Sequence, residues 1–148
     1  MQISQVGLDL IKEFEGFREH AYICPAGVPT IGYGTTLIEG SPVKIGMTIS
    51  ESKANDLLED QVNQVYAAAV IRHVTVPLNQ NQFDALVSWT YNLGESSLAT
   101  STMLKKLNQG DYDSVPAQMM RWTKANGVDL PGLVRRRKAE AELFTTPV

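Results

Sequence analysis

The stretch of sequence that decides the fold is Glu15-Gly16-Phe17-Arg18-Glu19-His20-Ala21-Tyr22-Ile23-Cys24-Pro25-Ala26-Gly27-Val28-Pro29-Thr30-Ile31-Gly32-Tyr33-Gly34. A helix is predicted from about Ser4 to Glu15, because apolar residues recur there at helical spacing, and Gly16 is typical of the left-handed residue that ends a helix. The partial negative charge of a helix C terminus favours the neutral form of a carboxyl, which suits a general acid. Glu15 is therefore a candidate proton donor, although the position also fits an ordinary surface carboxylate.

Bulky residues then alternate with glycines in the run Thr30-Ile31-Gly32-Tyr33-Gly34-Thr35-Thr36. This run predicts one strand of a small sheet over about Thr30 to Leu37. Glycine within a strand marks a bend or a place where another chain comes close to the backbone. A polymer lying across the strand is one such chain.

The composition is that of a soluble globular protein. The chain has 148 residues, 43% of them hydrophobic and 20% charged, which suits one domain or two small lobes that share a core. The net charge of −3 gives no basic footprint for nucleic acid. One cysteine excludes an internal disulfide, and two distant histidines with one cysteine do not make a zinc site. No apolar run is long enough for a membrane span, and no basic segment indicates a secretory signal.

The rest of the chain predicts helices joined by short connections. Thr48 to Glu51 has the pattern of a capping box, and the helix behind it extends to about Arg72. Four further helices are predicted: from Asn79 to Gly94, from Thr100 to Asn108, from Asp113 or Ser114 to a stop at Ala125-Asn126-Gly127, and from near Pro131 to about Phe144. A long helix after a small β-containing segment is a natural bridge to a second lobe.

The N-terminal residues resemble those of phage-type lysozymes, the muramidases of glycoside hydrolase family 24. The catalytic pattern of that family is Glu, eight residues, Asp, five residues, Thr. Here the three positions are Glu15, Cys24 and Thr30, so both gaps match and the middle residue differs.

Two C-terminal motifs extend the resemblance over nearly the whole chain. The segment 89–94, Trp-Thr-Tyr-Asn-Leu-Gly, is similar to the helix that lines the family's cleft. The tail of the endolysin branch is resembled by Arg121-Trp122, Ala125-Asn126-Gly127 and the segment 130–137. The implied fold is α+β and mostly helical, a lysozyme-like single domain over residues 1–148. It would have a small β-containing N-terminal lobe (about 1–50), a connecting helix (about 49–72) and a helical C-terminal lobe (about 73–148), with the substrate cleft between the lobes.

The resemblance also implies roles for residues outside the catalytic pattern. Tyr33 and Tyr91 would lie against sugar rings, or would fill the core as large aromatics often do. Asn92 would point toward the catalytic glutamate, or would only end a helix. Ser101 and Thr102 would touch the substrate, or would simply cap a helix.

The run Arg135-Arg136-Arg137 is by default a solvated charge run. In the family an arginine of the last helix approaches the catalytic glutamate, which makes Arg136 and Arg137 candidates for a supporting role. Such a cation would favour the ionised form of Glu15 and would oppose the effect of the helix end. The sequence leaves open which effect is larger.

Cys24 stands where the family usually has aspartate, and four interpretations of it are open. Its thiolate could orient or deprotonate water, or attack the anomeric carbon directly. It could remain a neutral thiol while Glu15 acts with a water placed by Thr30. It could have disabled the enzyme, which would leave a glycan-binding protein, or it could be a buried structural thiol. A water held by Cys24 and Thr30 would give inversion, whereas attack by sulfur would give retention.

The sequence therefore predicts an endolysin that hydrolyses the β-1,4 bond between N-acetylmuramic acid and N-acetylglucosamine in bacterial peptidoglycan. One alternative is a weakened or inactive peptidoglycan-binding protein on the same fold, and another is a helical nucleic-acid binder that uses the arginine run. We expect a monomer without cofactor, metal, nucleic-acid partner or membrane insertion. Without a secretory signal we expect it to accumulate in the host cytoplasm and to reach the wall in the periplasm only after a holin or similar lesion opens the membrane. We expect no separate wall-binding domain in a chain of this length.

Overall fold

The computed structural model describes residues 1–125 and 127–148, and in this part of the chain helices predominate over short antiparallel strand pairs. The helices are α1 (Gln5–Glu15), α2 (Glu51–Gln61), α3 (Ala68–His73), α4 (Gln80–Leu93), α5 (Glu95–Ala99), α6 (Thr102–Asn108), α7 (Val115–Met119) and α8 (Pro131–Thr145). The strands are β1 (Arg18–Ile23), β2 (Pro29–Gly32), β3 (Leu37–Ile38), β4 (Ser41–Pro42), β5 (Lys124–Ala125) and β6 (Val128–Asp129). The expected mostly helical α+β class is confirmed.

The chain divides into two compact units. One unit is Ile11–Gln61, and the other combines Met1–Leu10 with Val62–Val148. Among the described residues, we find no helix with both the length and the apolar character needed to cross a membrane.

The unit Ile11–Gln61 begins with the second half of α1 and continues into the hairpin of β1 and β2. Gly16 has a φ of 73° and its N–H donates to the Lys12 carbonyl at 2.9 Å, so the predicted helix stop is confirmed. β1 and β2 are antiparallel, with Tyr22 opposite Thr30 and Ile23 opposite Pro29. This register places Cys24 at the start of the loop that joins the two strands.

The predicted strand over Thr30 to Leu37 is wrong as a single element. β2 ends at Gly32, and Ile31 and Thr35 exchange backbone hydrogen bonds of 2.9 Å across a tight turn. Gly32 and Gly34 have φ values of 65° and 83°, a backbone conformation that favours glycine and turns the chain. Gly32 also lies where another part of the chain comes close to the backbone, since an added Cβ would lie 3.0 Å from the Cβ of Ala54 on α2.

The start of α2 differs from the predicted capping box. The Ser50 hydroxyl accepts a hydrogen bond from the Lys53 N–H at 3.1 Å, so Ser50 rather than Thr48 caps the helix. The predicted continuation to about Arg72 is present, but it is π-helical over Val62–Ala67 before α3 begins.

α4 is the central helix of the unit formed by Met1–Leu10 and Val62–Val148. Asn79 and Gln82 form the predicted capping box, and Gly94 follows the last residue with a φ of 93°. All eight residues from Phe83 to Thr90 are buried, which confirms the predicted buried helix. α4 packs against α8, and α7 also packs against α8.

Later parts of this unit depart from the predicted boundaries. The predicted helix over Thr100 to Asn108 begins at Thr102, with Ser101 as its cap. Ser114 is at the N-cap position of α7, as predicted, with Pro116 in the first turn, but the Ser114 side chain makes no capping hydrogen bond to α7. Asp111 caps the 3-10 helix over Tyr112–Ser114 that leads into α7. The predicted helix ends at Met119 and not at Ala125-Asn126-Gly127, since Lys124–Ala125 already forms β5; Asn126 lies outside the described residues.

Candidate active site

Glu15 lies at the exposed C-terminal end of α1. Gly16 ends the helix immediately after it, and β1 begins two residues after Gly16, at Arg18. Glu15 and Cys24 thus flank β1, one before the strand and the other directly after it.

Cys24 and Thr30 come together at the loop between β1 and β2. The Cys24 N–H donates to the Val28 carbonyl at 3.1 Å, and the Gly27 N–H donates to the Cys24 carbonyl at 2.8 Å. The three intervening residues, Pro25 to Gly27, have the proline and positive-φ glycine of a three-residue hairpin loop. The Thr30 hydroxyl donates to the same Val28 carbonyl at 2.9 Å, which brings its side chain to the thiol.

The loop stabilises the ionised form of the Cys24 thiol. Hydrogen bonds from the Val28 backbone, from the Thr30 side chain and from the Ala26 backbone hold the pKa of this thiol below its ordinary value, and partial desolvation opposes them. The residue is half-buried, so reagents and solvent can reach the sulfur. A half-buried position and a lowered pKa are two of the conditions that a reactive cysteine needs.

Tyr33 is largely buried within the same unit, with 4% of the residue exposed. Its ring lies 5.5 Å from that of Phe17, the Lys12 ammonium lies 5.5 Å from its centroid, and its hydroxyl donates to Glu51 at 3.2 Å. These contacts fix the ring in place.

Tyr91, Asn92, Arg136 and Arg137 come together in the other unit, at the end of α4 and on α8. The Arg137 Nη2 donates to the Asn92 Oδ1, and the Arg136 guanidinium lies 6.0 Å from the centroid of the Tyr91 ring. Tyr91 also makes an edge-on contact with Tyr66 at 5.0 Å between ring centroids. Asn92 is exposed, whereas Arg136 and Arg137 are buried.

The prediction of a solvated arginine run is therefore wrong for two of its three residues, and only Arg135 is exposed. The burial of Arg136 and Arg137 has a specific cause in Glu140, which sequence reasoning missed. Glu140 is also buried, and its Oε1 lies 3.1 Å from the Arg137 Nε while its Oε2 lies 3.4 Å from the Arg136 Nε. The spacings of three and four residues along one helix were the available signal.

The environment of these charges combines burial with close opposite charge. Burial lowers the pKa of Arg137 to about 10, while the Glu140 carboxylate opposes this shift. Burial raises the pKa of Glu140, and Arg137, the Ser88 hydroxyl and Arg136 oppose the rise. Arg137 remains protonated at neutral pH with a pKa of about 10, so its guanidinium can hold both the Glu140 carboxylate and the Asn92 amide oxygen.

Ser101 and Thr102 lie at the start of α6. The Ser101 hydroxyl accepts from the Leu104 N–H at 3.0 Å and donates to the Leu98 carbonyl at 2.8 Å, so it has a structural role as a cap. Thr102 is exposed. Both residues line an open cavity of about 300 Å³ together with Thr100, Gln118, Arg121 and Trp122.

Within the described residues, no group of three or more His, Cys, Asp or Glu side chains is arranged to hold a metal ion.

Comparisons with known proteins identify the family. The sequence pattern of the phage lysozyme family matches residues 12–140, so the chain belongs to the phage lysozyme family. It is 46% identical to an endolysin of Acyrthosiphon pisum secondary endosymbiont phage 1, over 97% of this chain and 98% of that protein. It is 44% identical to an endolysin of Bacillus phage B103 over 99% of this chain, although it spans only 55% of that longer relative.

A solved structure gives the same result for the fold. The endolysin from Escherichia coli O157:H7 phage FAHEc1 superposes with a TM-score of 0.90 at 44% identity, over 98% of this chain and 94% of that one. The fold is therefore lysozyme-like, and the protein is a lysozyme-type glycoside hydrolase with an endolysin function.

Proposed function

We propose that this chain is an endolysin muramidase that hydrolyses the β-1,4 bond between N-acetylmuramic acid and N-acetylglucosamine in bacterial peptidoglycan. Cleavage of a glycosidic bond needs a proton for the leaving oxygen and a group that meets the oxocarbenium-like carbon. The observation that carries the proposal is the Cys24–Thr30 loop, which lowers the pKa of a solvent-accessible thiol at the family's second catalytic position. Glu15, at the family's first position, is the proposed general acid.

Thr30 is proposed to serve both protonation states of Cys24. A hydroxyl has only one hydrogen to donate. With the neutral thiol that hydrogen bonds to the Val28 carbonyl, and with the thiolate it can turn to the sulfur. The Val28 carbonyl keeps the Cys24 N–H as a donor in either case, so ionisation leaves no buried acceptor unsatisfied.

Two routes fit a thiolate at this position. As a base it would activate a water that Thr30 helps to place, and the product would have inverted configuration. As a nucleophile its sulfur would form a covalent glycosyl intermediate that water then hydrolyses, with net retention. The anomer that first forms, followed by NMR on a soluble glycan fragment, separates the two routes.

Tyr91, Asn92 and Thr102 are the proposed substrate-binding residues that remain accessible in part or in full. An aromatic ring offers a flat face to a sugar, and an amide can pair with an acetamido group. Tyr33 and Ser101 have buried side chains. We propose that they contribute to substrate binding indirectly, by fixing the positions of the residues around them.

Bacterial peptidoglycan is the proposed partner, and the endolysin relatives support it. We propose that the protein acts as a monomer. We also propose that it accumulates in the host cytoplasm and reaches the wall in the periplasm when a holin or similar lesion opens the membrane.

The test is digestion of purified peptidoglycan by the native chain and by Glu15→Gln, with borohydride reduction and mass spectrometry of the products. A muramidase leaves reduced muramic acid ends, whereas a glucosaminidase leaves reduced glucosamine ends. We expect muramic ends from the native chain and a loss of about 100-fold or more in rate for Glu15→Gln, the usual contribution of a general acid.

The matched control is Glu13→Gln, an exposed carboxyl on the same helix, which should digest at the native rate. Full activity of Glu15→Gln would refute the role of Glu15. A native chain that binds peptidoglycan without releasing any reducing ends would refute the muramidase and support a glycan-binding protein.

A further inference from the structure

We propose that Glu140 is a positioning residue that holds the substrate-binding residues Tyr91 and Asn92 through Arg136 and Arg137. The proposal rests on the proposed function, because Tyr91 and Asn92 are there assigned to the glycan. Glu140 lies outside the family's catalytic pattern, and it is fully buried.

The burial of Glu140 calls for an explanation. It is 0% exposed, and a buried carboxylate is unfavourable unless charges and hydrogen bonds compensate it. Three groups do so: the Ser88 hydroxyl donates to Oε2 at 2.6 Å, and the guanidinium groups of Arg136 and Arg137 lie at 3.4 Å and 3.1 Å. Well-packed apolar residues in such a place are often at least as stabilising as a buried ion pair, so stability alone does not account for the cluster.

The cluster reaches the surface at Asn92. The Arg137 Nε faces Glu140 while its Nη2 donates to the Asn92 Oδ1, so one planar guanidinium joins a buried carboxylate to an exposed amide. Because a guanidinium only donates, it fixes the amide oxygen of Asn92 on its own side. The Nδ2 donor of Asn92 is thereby turned the other way, and an N–H donor is what the acetamido carbonyl of an N-acetyl sugar accepts.

A second branch of the cluster reaches Tyr91. The Arg136 guanidinium is held by Glu140 and lies 6.0 Å from the Tyr91 centroid, within the range of a cation–π contact. The edge-on contact with Tyr66 supports the same ring from another direction. Glu140 thus fixes both arginines, and each arginine contacts one of two consecutive substrate-binding residues.

The test compares Glu140→Gln with Glu142→Gln, an exposed carboxyl two residues further along α8. At a temperature where both variants are folded, we expect Glu140→Gln to lower kcat/KM on peptidoglycan by at least about tenfold, mainly through KM, as expected for a hydrogen-bond network that orients binding groups. Glu142→Gln should stay within about twofold of the native chain. The side-chain amide NMR signals of Asn92 should move in Glu140→Gln and remain in place in Glu142→Gln.

Arg137→Lys keeps the test decisive if Glu140→Gln does not fold. The lysine keeps a positive charge for Glu140 but lacks the second arm that holds Asn92, so we expect a folded protein with the same loss in kcat/KM and the same change in the Asn92 signals. Folded Glu140→Gln or Arg137→Lys with native kcat/KM and unmoved Asn92 signals would overturn the proposal. The NMR comparison needs no substrate, so it separates a failure of this proposal from a native chain that fails to cut peptidoglycan.

Discussion

The Cys24–Thr30 loop and the cluster around Glu140 hold candidate functional residues in opposite ways. In the loop, the contacts join residues close in sequence, such as Thr30 and Val28, and the thiol is open to solvent. In the cluster, Ser88 and Glu140 are 52 residues apart, Arg137 and Asn92 are 45 apart, and the charged groups are buried.

This difference has a physical consequence. In a loop held by local backbone hydrogen bonds, the reactive side chain can be substituted with little loss of stability, because few tertiary contacts depend on that side chain. A buried charge cluster couples function to stability, because each lost partner leaves a desolvated group unsatisfied. Variants in the cluster should therefore change the free energy of unfolding, whereas variants in the loop should change mainly reactivity.

The largest expected effect on stability comes from Ser88→Ala. It removes the hydroxyl that donates to the Glu140 Oε2 at 2.6 Å and leaves a buried carboxylate oxygen with one donor fewer. We expect the free energy of unfolding, measured by urea titration, to fall by about 1–3 kcal/mol. Ser96→Ala, at an exposed serine on α5, is the control and should change it by less than about 0.5 kcal/mol. Equal stability of the two variants would contradict a structural role for the Ser88–Glu140 hydrogen bond.

A smaller effect is expected from Gly27→Ala in the loop. Gly27 has a φ of 80°, and an added Cβ would meet nothing within 4 Å. The substitution should therefore lower the free energy of unfolding by about 1 kcal/mol, through the backbone conformation alone. Gly40→Ala is a matched control, since Gly40 has a φ of 81° and equally open surroundings. Both variants should lose similar stability in urea, but only Gly27→Ala should change the alkylation rate of Cys24. If Cys24 is alkylated at the same rate in both variants, the loop does not control the reactivity of the thiol.

The subtlest effect concerns the pH dependence of Cys24 itself. Hydrogen bonds from Val28, Thr30 and Ala26 lower the thiol pKa in the folded chain, and the thiolate is the form that reacts with iodoacetamide. The midpoint of the rate against pH should therefore lie lower for the folded chain than for the chain unfolded in urea. Thr30→Val should move the folded midpoint upward. A folded midpoint at or above the unfolded one would show that the loop does not favour the thiolate.

The same contrast explains what the sequence could predict. The stop at Gly16, the capping box of Asn79 and the buried character of α4 follow from local spacing, and all are confirmed. The strand predicted over Thr30 to Leu37 is wrong because two positive-φ glycines turn the chain within it. The proximity of Cys24 and Thr30 follows from their separation of only six residues on either side of one hairpin loop.

The cluster around Glu140 was not predictable to the same extent. A run of three arginines is typical of a solvated surface, and nothing in the run itself indicates Ser88 or Asn92, which lie on α4. Only the spacing from Arg136 and Arg137 to Glu140 carried a signal within α8. The roles assigned to Glu15, Cys24, Thr30 and the glycan-binding residues remain predictions.

The most direct measurement is turnover of purified peptidoglycan by the native chain beside Cys24→Ser and Cys24→Asp, each shown to be folded by its urea midpoint. If the thiol takes part in the chemistry, the native chain cuts, Cys24→Ser loses about 100-fold or more, and Cys24→Asp keeps measurable activity because a carboxylate can activate water. A serine variant as fast as the native chain would contradict any chemical role for the thiol. Activity confined to the aspartate variant would show that Cys24 has disabled the enzyme.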